Sequence, residues 1–368
     1  MVGTRPEIVK MAPIIRASHA AGHETVLIHS GQHYSPNMSD IFFEQLDLPL
    51  PDHNLDVGSG SHPFQIGSVL LRLEDVLSSV TPDILLVEGD TNTVLAAGLT
   101  ANKMGIRVGH VEAGLRSHDR TMPEEINRIL VDHLSDELYA PTVKAARNLQ
   151  GEAIDDERIA VTGNTVVDEV VRNLPAALDR EPHRAAAGAA YLLATVHRAE
   201  NTDAPQRLAG IVEGLRRASD ALMTKLLISL HPRTADRLLA FGIELPPEFE
   251  VLGPLGYFES LALQARAALV LTDSGGLQEE ACTLGVPCVT LRDNTERPES
   301  VDAGANRLAG ADPALIADAA ITMVDRRASW TNPFGDGRSG QRIIASITRS
   351  DMVAVSMDLP AAYVPVGS

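Results

Sequence analysis

Short apolar runs that end in charged residues constrain the fold of this chain more than any other feature. Residues 84–87 form such a run shortly before Asp90, and residues 108–111 form another directly before Glu112. A continuous apolar run of this length is typical of a strand that is buried on both faces. In open parallel sheets, ligands bind beyond the carboxyl ends of such strands. The sequence therefore predicts that Asp90 and Glu112 lie side by side at a functional site.

Apolar runs of this kind alternate with helical patterns in both halves of the chain. Predicted strands cover residues 25–30, 84–87, 108–111, 137–140, 158–162, 191–196, 225–230, 267–272 and 286–291. The alternation is typical of βαβ units that build a parallel sheet. We therefore predict an α/β protein with two Rossmann-like domains whose strand ends face a common cleft.

A polar segment that is rich in Pro and Ala, residues 173–190, interrupts the pattern and places a domain boundary shortly before it. The first domain is predicted to span residues 1–168 and the second residues 169–335. A length of 368 residues is suited to two domains. A helix within residues 336–350 is expected to cross back to the first domain, and residues 351–368 are expected to form a tail.

Charge and cysteine content exclude several classes of protein. The net charge of −18 argues against nucleic acid or an anionic membrane as a partner, whereas a small anionic ligand is compatible with a locally basic site. The two cysteines, Cys282 and Cys288, suggest buried thiols in a reducing compartment. Because we find no signal peptide and no long apolar segment, we expect a soluble, cytoplasmic protein.

The first residues form a turn that suits an anion. The segment Gly-Thr-Arg-Pro-Glu at residues 3–7 leads into a helix with an apolar stripe. Free N–H groups at the start of that helix, together with Arg5 and Lys10, favour an anionic ligand, although an ordinary turn is the alternative. Almost no strand precedes this turn, so we expect either a start farther upstream or a rearrangement that compensates for the missing strand.

A Ser-Gly-Gly turn follows a predicted strand in the second half. Ser274, Gly275 and Gly276 open a helix whose N–H groups suit a phosphate, and the glycines let a ligand approach the backbone. Glu280, on the same helix, could accept hydrogen bonds from two ribose hydroxyls. The pattern differs from the GxGxxG fingerprint of dinucleotide-binding proteins, and a tight turn capped by serine is the alternative.

Three further residues are candidates for binding or proton transfer. Arg297 follows a strand and fits a phosphate with paired hydrogen bonds, unless it forms a surface salt bridge. His197 follows another strand and could donate a proton or a hydrogen bond to a leaving phosphate. Glu124 would add a third carboxylate to Asp90 and Glu112, with helix capping or a loop charge as the alternative for each. Carboxylates in one half and phosphate binders in the other suit a nucleotide sugar.

The chain resembles the non-hydrolysing UDP-N-acetylglucosamine 2-epimerase family over nearly its full length. The motifs that carry the resemblance are GTRPE at 3–7 with Lys10, GDT at 89–91, GHVEAGLR at 109–116, PEEINR at 123–128, TGNTVVD at 162–168, HR at 197–198, DSGGLQEEA at 273–281 and RDNTERPE at 292–299. The resemblance implies a GT-B fold with the UDP-sugar substrate between two Rossmann-like domains. It also implies anti elimination of UDP to a 2-acetamidoglucal and re-addition, which interconverts UDP-N-acetylglucosamine and UDP-N-acetylmannosamine. It implies that the protein uses neither a metal nor a nicotinamide cofactor. It also implies a homodimer.

By matching position, the resemblance also assigns roles to the candidate residues. The acid/base carboxylates are Asp90, Glu112 and Glu124, and His197 corresponds to a histidine near the diphosphate. The residues implied to bind UDP are Arg5, Lys10, Ser274, Gly275, Gly276, Glu280 and Arg297. The carboxylate that removes the C2 proton is not assigned. Residues 32–38 differ from the segment found in bacterial members that are activated by their own substrate, so such activation stays open.

Several alternatives fit part of the pattern. An epimerase of a related UDP-sugar, such as a UDP-diacetamido-uronic acid, would have the same motifs. A hydrolysing epimerase usually has a different N-terminal motif, and a GT-B glycosyltransferase would share the nucleotide-binding half without needing three carboxylates. A non-catalytic sugar-nucleotide sensor is the alternative outside enzymes, but intact Asp90, Glu112, Glu124 and His197 argue against it.

Overall fold

The computed structural model of the protein describes residues 1–31, 43–180, 186 and 190–348. Residues 32–38, the segment that bears on activation by the substrate, lie outside the described residues, as does the predicted tail.

The chain divides into two compact units. A boundary between them lies between Glu169 and Val170, within the helix Thr165–Leu178. Among the described residues, the first unit contains Met1–Glu169 and residues 335–348, and the second contains Val170–Phe334. Each unit is an α/β layer structure in which all strand pairs are parallel. The predicted α/β class with a parallel sheet in each domain is therefore confirmed.

The first unit contains a two-stranded pair and a four-stranded sheet in the order β3-β4-β5-β6. Its strands are β1 (Ile28–His29), β2 (His53–Asn54), β3 (Ile84–Glu88), β4 (Arg107–Val111), β5 (Glu137–Ala140) and β6 (Ile159–Val161). Its helices are α1 (Arg5–Ala20), α2 (His62–Val80), α3 (Asn92–Lys103), α4 (Pro123–Leu134), α5 (Val143–Gly151) and the first part of α6 (Thr165–Leu178). Apolar side chains of β3 and β4 pack against α2 and α3, and this burial holds the strand ends in place.

Met1 and Val2 bridge the two sheets of the first unit. The Val2 N–H donates to the Ile28 carbonyl at 2.9 Å, and the Ser30 N–H donates to the Val2 carbonyl at 2.8 Å. On the other side, the Met1 nitrogen donates to the Leu86 carbonyl at 3.1 Å. Two residues thus lie between β1 and β3, where we expected a first strand to be missing or replaced.

The strand predicted over residues 25–30 is shorter than expected, because regular pairing covers only Ile28–His29. Val2 forms backbone hydrogen bonds only with Ile28 and Ser30. Among the described residues, no strand therefore lies beside residues 25–27 on the edge that faces Val2. A cavity of about 310 Å³ lies there, lined by residues 23–28 and 81–86, by apolar side chains of α1 and α2, and by Ile344 and Ile347. The short first strand therefore leaves an apolar gap beside itself. The upstream start stays a prediction.

The second unit contains one six-stranded sheet in the order β12-β11-β10-β7-β8-β9. Its strands are β7 (Tyr191–Val196), β8 (Lys225–Leu230), β9 (Glu250–Leu252), β10 (Leu269–Thr272), β11 (Cys288–Thr290) and β12 (Asn306–Leu308). Its helices are α7 (Ala199–Thr202), α8 (Pro205–Leu222), α9 (Pro232–Phe241), α10 (Tyr257–Arg266), α11 (Gly275–Thr283), α12 (Pro298–Asp302) and α13 (Pro313–Met323). Cys282 and Cys288 are free and buried in this unit.

The last described helix, α14 (Ser339–Ile347), belongs to the first unit and packs on α1. Asp168 accepts hydrogen bonds from the Ser339 and Gly340 N–H groups at 3.1 and 2.9 Å, which satisfies free donors at the helix start. Gly340 allows a close approach, because a Cβ atom there would lie 2.7 Å from the backbone of Pro13.

Among the residues that the structure describes, no helix is long and apolar enough to cross a bilayer. Nor do the described His, Cys, Asp and Glu side chains form a group of three or more that could hold a metal ion.

Candidate active site

Asp90 and Glu112 share one cation at the carboxyl ends of β3 and β4. Glu88 pairs with Val111 in register, so the residues that follow these two strands emerge next to each other. The Arg128 Nη2 atom lies 2.6 Å from Asp90 Oδ2 and 3.2 Å from Glu112 Oε2. The predicted juxtaposition of the two carboxylates is thus seen, with an arginine from α4 between them.

Glu112 has a backbone conformation that is uncommon for a side chain other than glycine. Its φ is 66°, in the left-handed region. Such strain persists only where the surrounding contacts hold it, and it is concentrated at functional sites. Asp90 is the more accessible carboxylate, with 24% of its side chain exposed against 5% for Glu112.

Lys10 joins the same group of charges from α1. Its ammonium forms a short ion pair with Glu112 and lies 3.5 Å from Glu88 Oε1. The buried ammonium of Lys10 thus contacts carboxyl groups from the ends of both β3 and β4. We call Lys10, Glu88, Asp90, Glu112 and Arg128 the carboxylate cluster.

Glu88 is a deeply buried member of the cluster that sequence reasoning did not single out. Its Oε1 atom has no hydrogen-bond partner among the described residues. Burial raises the pKa of Glu88 well above its usual range; the charge of Lys10 opposes this shift, and the neighbouring carboxylate of Glu112 adds to it. The folded protein therefore favours the neutral carboxylic acid of Glu88 over its carboxylate more strongly than water does.

This protonation state gives a stability prediction. Above the unfolded-state pKa of about 4.3, folding must return a proton to Glu88, so stability falls as pH rises. Glu88→Gln keeps the neutral shape without that requirement. We expect its free energy of unfolding to equal that of the wild type near pH 4.5 and to exceed it at higher pH, measured by urea denaturation.

Glu74→Gln, on the exposed face of α2, is the matched control and should show no such trend. A loss of stability in Glu88→Gln that grows toward pH 8 would show that Glu88 is ionised and paired with Lys10.

The structure does not bring Glu124 into contact with the other carboxylates. Glu124 lies in the first turn of α4, four residues before Arg128 and thus on the same helix face. It is half-buried, and its carboxylate has no hydrogen bond or ion pair within the part of the chain that the structure describes. Arg5 is exposed at the start of α1, where Thr4 and Glu7 form a capping box.

In the second unit, Asp273 organises the strand ends. Its buried carboxylate accepts hydrogen bonds from the N–H groups of His197 and Arg198 at 3.0–3.1 Å and from the Asn201 side chain at 3.1 Å. The His197 Nδ1 atom lies 3.2 Å from the same carboxylate. Asp273 therefore fixes both the backbone and the ring of His197.

His197 is neutral in this environment. Burial lowers its pKa, and the charge of Asp273 only partly offsets that effect. Since Nδ1 faces Asp273, the ring donates its hydrogen there and leaves Nε2 as the atom for a ligand. An added anion would favour protonation of that nitrogen.

Ser274, Gly275 and Gly276 lie at the start of α11, as predicted, with Arg297 beside them. A Cβ atom built on Gly275 would lie 3.8 Å from the Arg297 guanidinium and 3.8 Å from the Glu296 carboxylate. We call Ser274, Gly275, Gly276 and Arg297 the glycine turn. Backbone donors, a helix dipole and a guanidinium converge here, which is an arrangement that binds anions.

Two buried carboxylates hold the arginine of the glycine turn. Glu279 pairs with Arg297 Nε. Burial opposes ionisation of Glu296, but the charges of Arg297 and Arg292 outweigh it and hold the Glu296 pKa at about 2. Arg292 is itself fixed at 2.7 Å from Glu200. The arginine side chains are therefore held in place before any ligand arrives.

Glu280 lies on α11 and contacts α10. Its Oε2 atom accepts a hydrogen bond from Gln264 Nε2, on α10, at 2.6 Å. It is half-buried.

Comparison with known proteins identifies the family. A family model described as UDP-N-acetylglucosamine 2-epimerase matches residues 16–348. The UDP-N-acetylglucosamine 2-epimerase of Methanocaldococcus jannaschii is 49% identical over 95% of this chain and 98% of its own length. The UDP-2,3-diacetamido-2,3-dideoxy-D-glucuronate 2-epimerase of Pseudomonas aeruginosa is 41% identical, over 93% and 97% of the two chains.

Solved structures agree with this assignment. The crystal structure of the M. jannaschii enzyme in complex with UDP-GlcNAc and UDP superposes with a TM-score of 0.88 at 48% identity, over 94% of this chain and 98% of that one. A glycosyltransferase of kitacinnamycin, at 16% identity and a TM-score of 0.52, shares the fold alone. The predicted GT-B fold is confirmed, and the chain belongs to the UDP-N-acetylglucosamine 2-epimerase family.

Proposed function

We propose that this chain interconverts UDP-N-acetylglucosamine and UDP-N-acetylmannosamine by inverting C2. The observation that carries the proposal is that Asp90 and Glu112, from neighbouring strand ends, share the Arg128 cation. Two carboxylates with different exposure and different partners suit a reaction that removes a proton on one face of a carbon and returns it on the other. The relatives' names and the bound UDP-GlcNAc in the M. jannaschii structure support the choice of substrate.

The reaction balances without an external oxidant. A carboxylate takes the C2 proton, the C2–H electron pair becomes the C1=C2 double bond, and the C1–O bond breaks with its electrons on the UDP phosphate oxygen. The 2-acetamidoglucal then accepts UDP back at C1 while C2 receives a proton on the opposite face. Because no step transfers a hydride, this route needs no nicotinamide.

The second unit is proposed to bind the nucleotide. Backbone N–H groups of Ser274, Gly275 and Gly276, with Arg297, would bind the diphosphate. Glu280 would accept hydrogen bonds from ribose hydroxyls, and the free His197 Nε2 would meet the leaving phosphate.

In the first unit, Arg5 and Lys10 are proposed to bind UDP, because they match UDP-binding positions of the family. Glu124 is kept as a third proton-transfer candidate, because it lies on the helix face of Arg128. A homodimer is also proposed, and sedimentation would test it.

Gly275→Ala separates ligand binding from folding. The added methyl group meets nothing closer than 3.8 Å, and its helical position tolerates alanine, so we expect an unchanged melting temperature. The methyl group would, however, stand where a phosphate approaches the backbone. We expect KM for the UDP-sugar and Kd for UDP to rise about tenfold or more, a cost of about 1.4 kcal/mol.

Gly253→Ala is the control, since a Cβ there meets no atom within 4 Å. If Gly275→Ala binds UDP with wild-type affinity in titration calorimetry, the phosphates do not approach this turn.

A related substrate has specific support. The P. aeruginosa relative, named for a diacetamido-glucuronate, is 41% identical to this chain. Parallel incubation with UDP-N-acetylglucosamine and with UDP-2,3-diacetamido-2,3-dideoxy-D-glucuronate, followed by proton NMR, distinguishes the two. We expect UDP-N-acetylmannosamine from the first. Turnover of the second sugar alone would contradict the proposal, as would release of free N-acetylmannosamine and UDP.

A further inference from the structure

His110 lies in β4, fully buried, with both ring nitrogens in short contacts. Its Nδ1 atom is 2.7 Å from Asp132 Oδ1, and its Nε2 atom is 2.8 Å from the Gly89 carbonyl oxygen. A carbonyl oxygen has no hydrogen to donate. Nε2 must therefore carry a hydrogen, since a bare nitrogen at that distance would face the carbonyl lone pair to lone pair.

The other partner, Asp132, is an ionised carboxylate. Burial would raise its pKa, but its neighbours lower it below the usual range, and one of them, the Arg116 guanidinium 2.7 Å from Oδ2, is always charged. The Gly114 N–H also donates to Oδ2 at 3.2 Å. Asp132 therefore accepts on both oxygens and cannot donate to His110. Both ring nitrogens of His110 are donors, and the ring carries two protons.

These hydrogen bonds connect the two turns that present the reactive carboxylates. Gly89, with a φ of 84°, directly precedes Asp90, and its N–H donates to the Val111 carbonyl at 3.1 Å. His110 fixes the next peptide unit, which joins Gly89 to Asp90, by donating to the Gly89 carbonyl. At its other nitrogen, His110 holds Asp132, which in turn holds Gly114, two residues after Glu112.

We propose that His110 is a positioning residue whose doubly protonated ring sets the position of Asp90 relative to Glu112. The inference rests on the proposed function for its kinetic part only. Since His110 is buried beneath the turn, it acts through Gly89 and Asp132 and does not touch the substrate. The charged groups around it are Asp132 on α4, Arg116 in the loop after β4, and Glu152, which pairs with Arg116 at 2.7 Å.

Nitrogen NMR of the wild-type protein tests the protonation directly. In protein labelled with 15N histidine, we expect the His110 ring at pH 7.5 to show two protonated nitrogens, with its signals assigned by their loss in His110→Gln. A ring with one unprotonated nitrogen would overturn the proposal. This result does not depend on activity, so it is distinct from failure of the proposed function.

Two substitutions each keep one hydrogen bond. The amide nitrogen of Gln matches Nε2 and can still donate to Gly89, whereas that of Asn matches Nδ1 and can donate only to Asp132. We expect His110→Asn to lower kcat on the order of 10²-fold, as a misplaced reacting group does, with KM and UDP affinity within about twofold of wild type. His110→Gln should retain most of the wild-type kcat.

A purely structural role predicts lower melting temperatures in both variants but no difference in kcat per folded molecule. Equal kcat values, or a rise in KM with unchanged kcat, would therefore overturn the proposal. His133→Gln, half-exposed at the end of the same α4, is the control and should match the wild type. If His110→Asn does not fold, the nitrogen NMR result decides alone.

Discussion

Glu112→Gln is expected to lose about 10³-fold or more in kcat while still binding UDP. An amide cannot accept the C2 proton, and general acid or base groups contribute about 10²- to 10⁴-fold to rate. The substitution also leaves Lys10 and Arg128 with one carboxylate fewer, although Glu88 and Asp90 still face them. Expressed as free energies, we expect the loss in kcat to greatly exceed the change in the free energy of unfolding.

Steady-state kinetics by NMR, together with calorimetric titration of UDP, measures both effects. UDP affinity should stay near the wild-type value because the proposed diphosphate ligands Gly275 and Arg297 are unchanged. Glu157→Gln, at an exposed glutamate of the same unit, is the control. Full activity in Glu112→Gln would remove Glu112 from the acid/base set, and Asp90→Asn would then be the next carboxylate to test.

Asp273→Asn is expected to weaken both the fold of the second unit and its affinity for UDP. The fully buried carboxylate accepts from two backbone N–H groups and from Asn201. An amide presents its own N–H groups to some of those donors, which leaves buried donors unsatisfied. We expect a loss of about 3 kcal/mol in the free energy of unfolding and a rise in Kd for UDP of about tenfold or more.

Urea denaturation and UDP titration at 15 °C, where the variant stays folded, separate the two effects. Asp318→Asn removes an exposed partner of Arg307 in the same unit and should change stability by less than about 1 kcal/mol. Wild-type stability in Asp273→Asn would show that the carboxylate does not organise the turn at His197.

The strand ends could be predicted because their cause is local. An apolar run must be buried, a charged residue must leave the core, and parallel strands place their carboxyl ends together. Asp90, Glu112, His197 and Ser274 follow from these rules, and each lies directly after or close to a strand end in the structure. The juxtaposition of Asp90 and Glu112 required only that β3 and β4 be neighbours.

Contacts between distant segments could not be predicted in the same way. Lys10 and Glu112 are 102 residues apart, and nothing local shows that α1 delivers an ammonium to the end of β4. Sequence reasoning did not select Arg128, although it lies in the PEEINR motif four residues after Glu124. The spacing of one helical turn was the available signal.

Asp273 and His110 were missed for a related reason. Both stand inside motifs that were noticed, but a single sequence does not show that a side chain turns inward to bind backbone groups. The strand predicted over residues 25–30 was too long, because an apolar run predicts burial but not the presence of a neighbouring strand.

Deuterium exchange at C2 tests the central claim most directly. Wild-type protein is incubated with UDP-N-acetylglucosamine in deuterated water, and the C2 proton of substrate and product is followed by NMR. We predict UDP-N-acetylmannosamine that carries deuterium at C2, and no exchange with Glu112→Gln. Product that keeps its original C2 proton, or free N-acetylmannosamine with UDP, would contradict proton transfer by the carboxylate cluster.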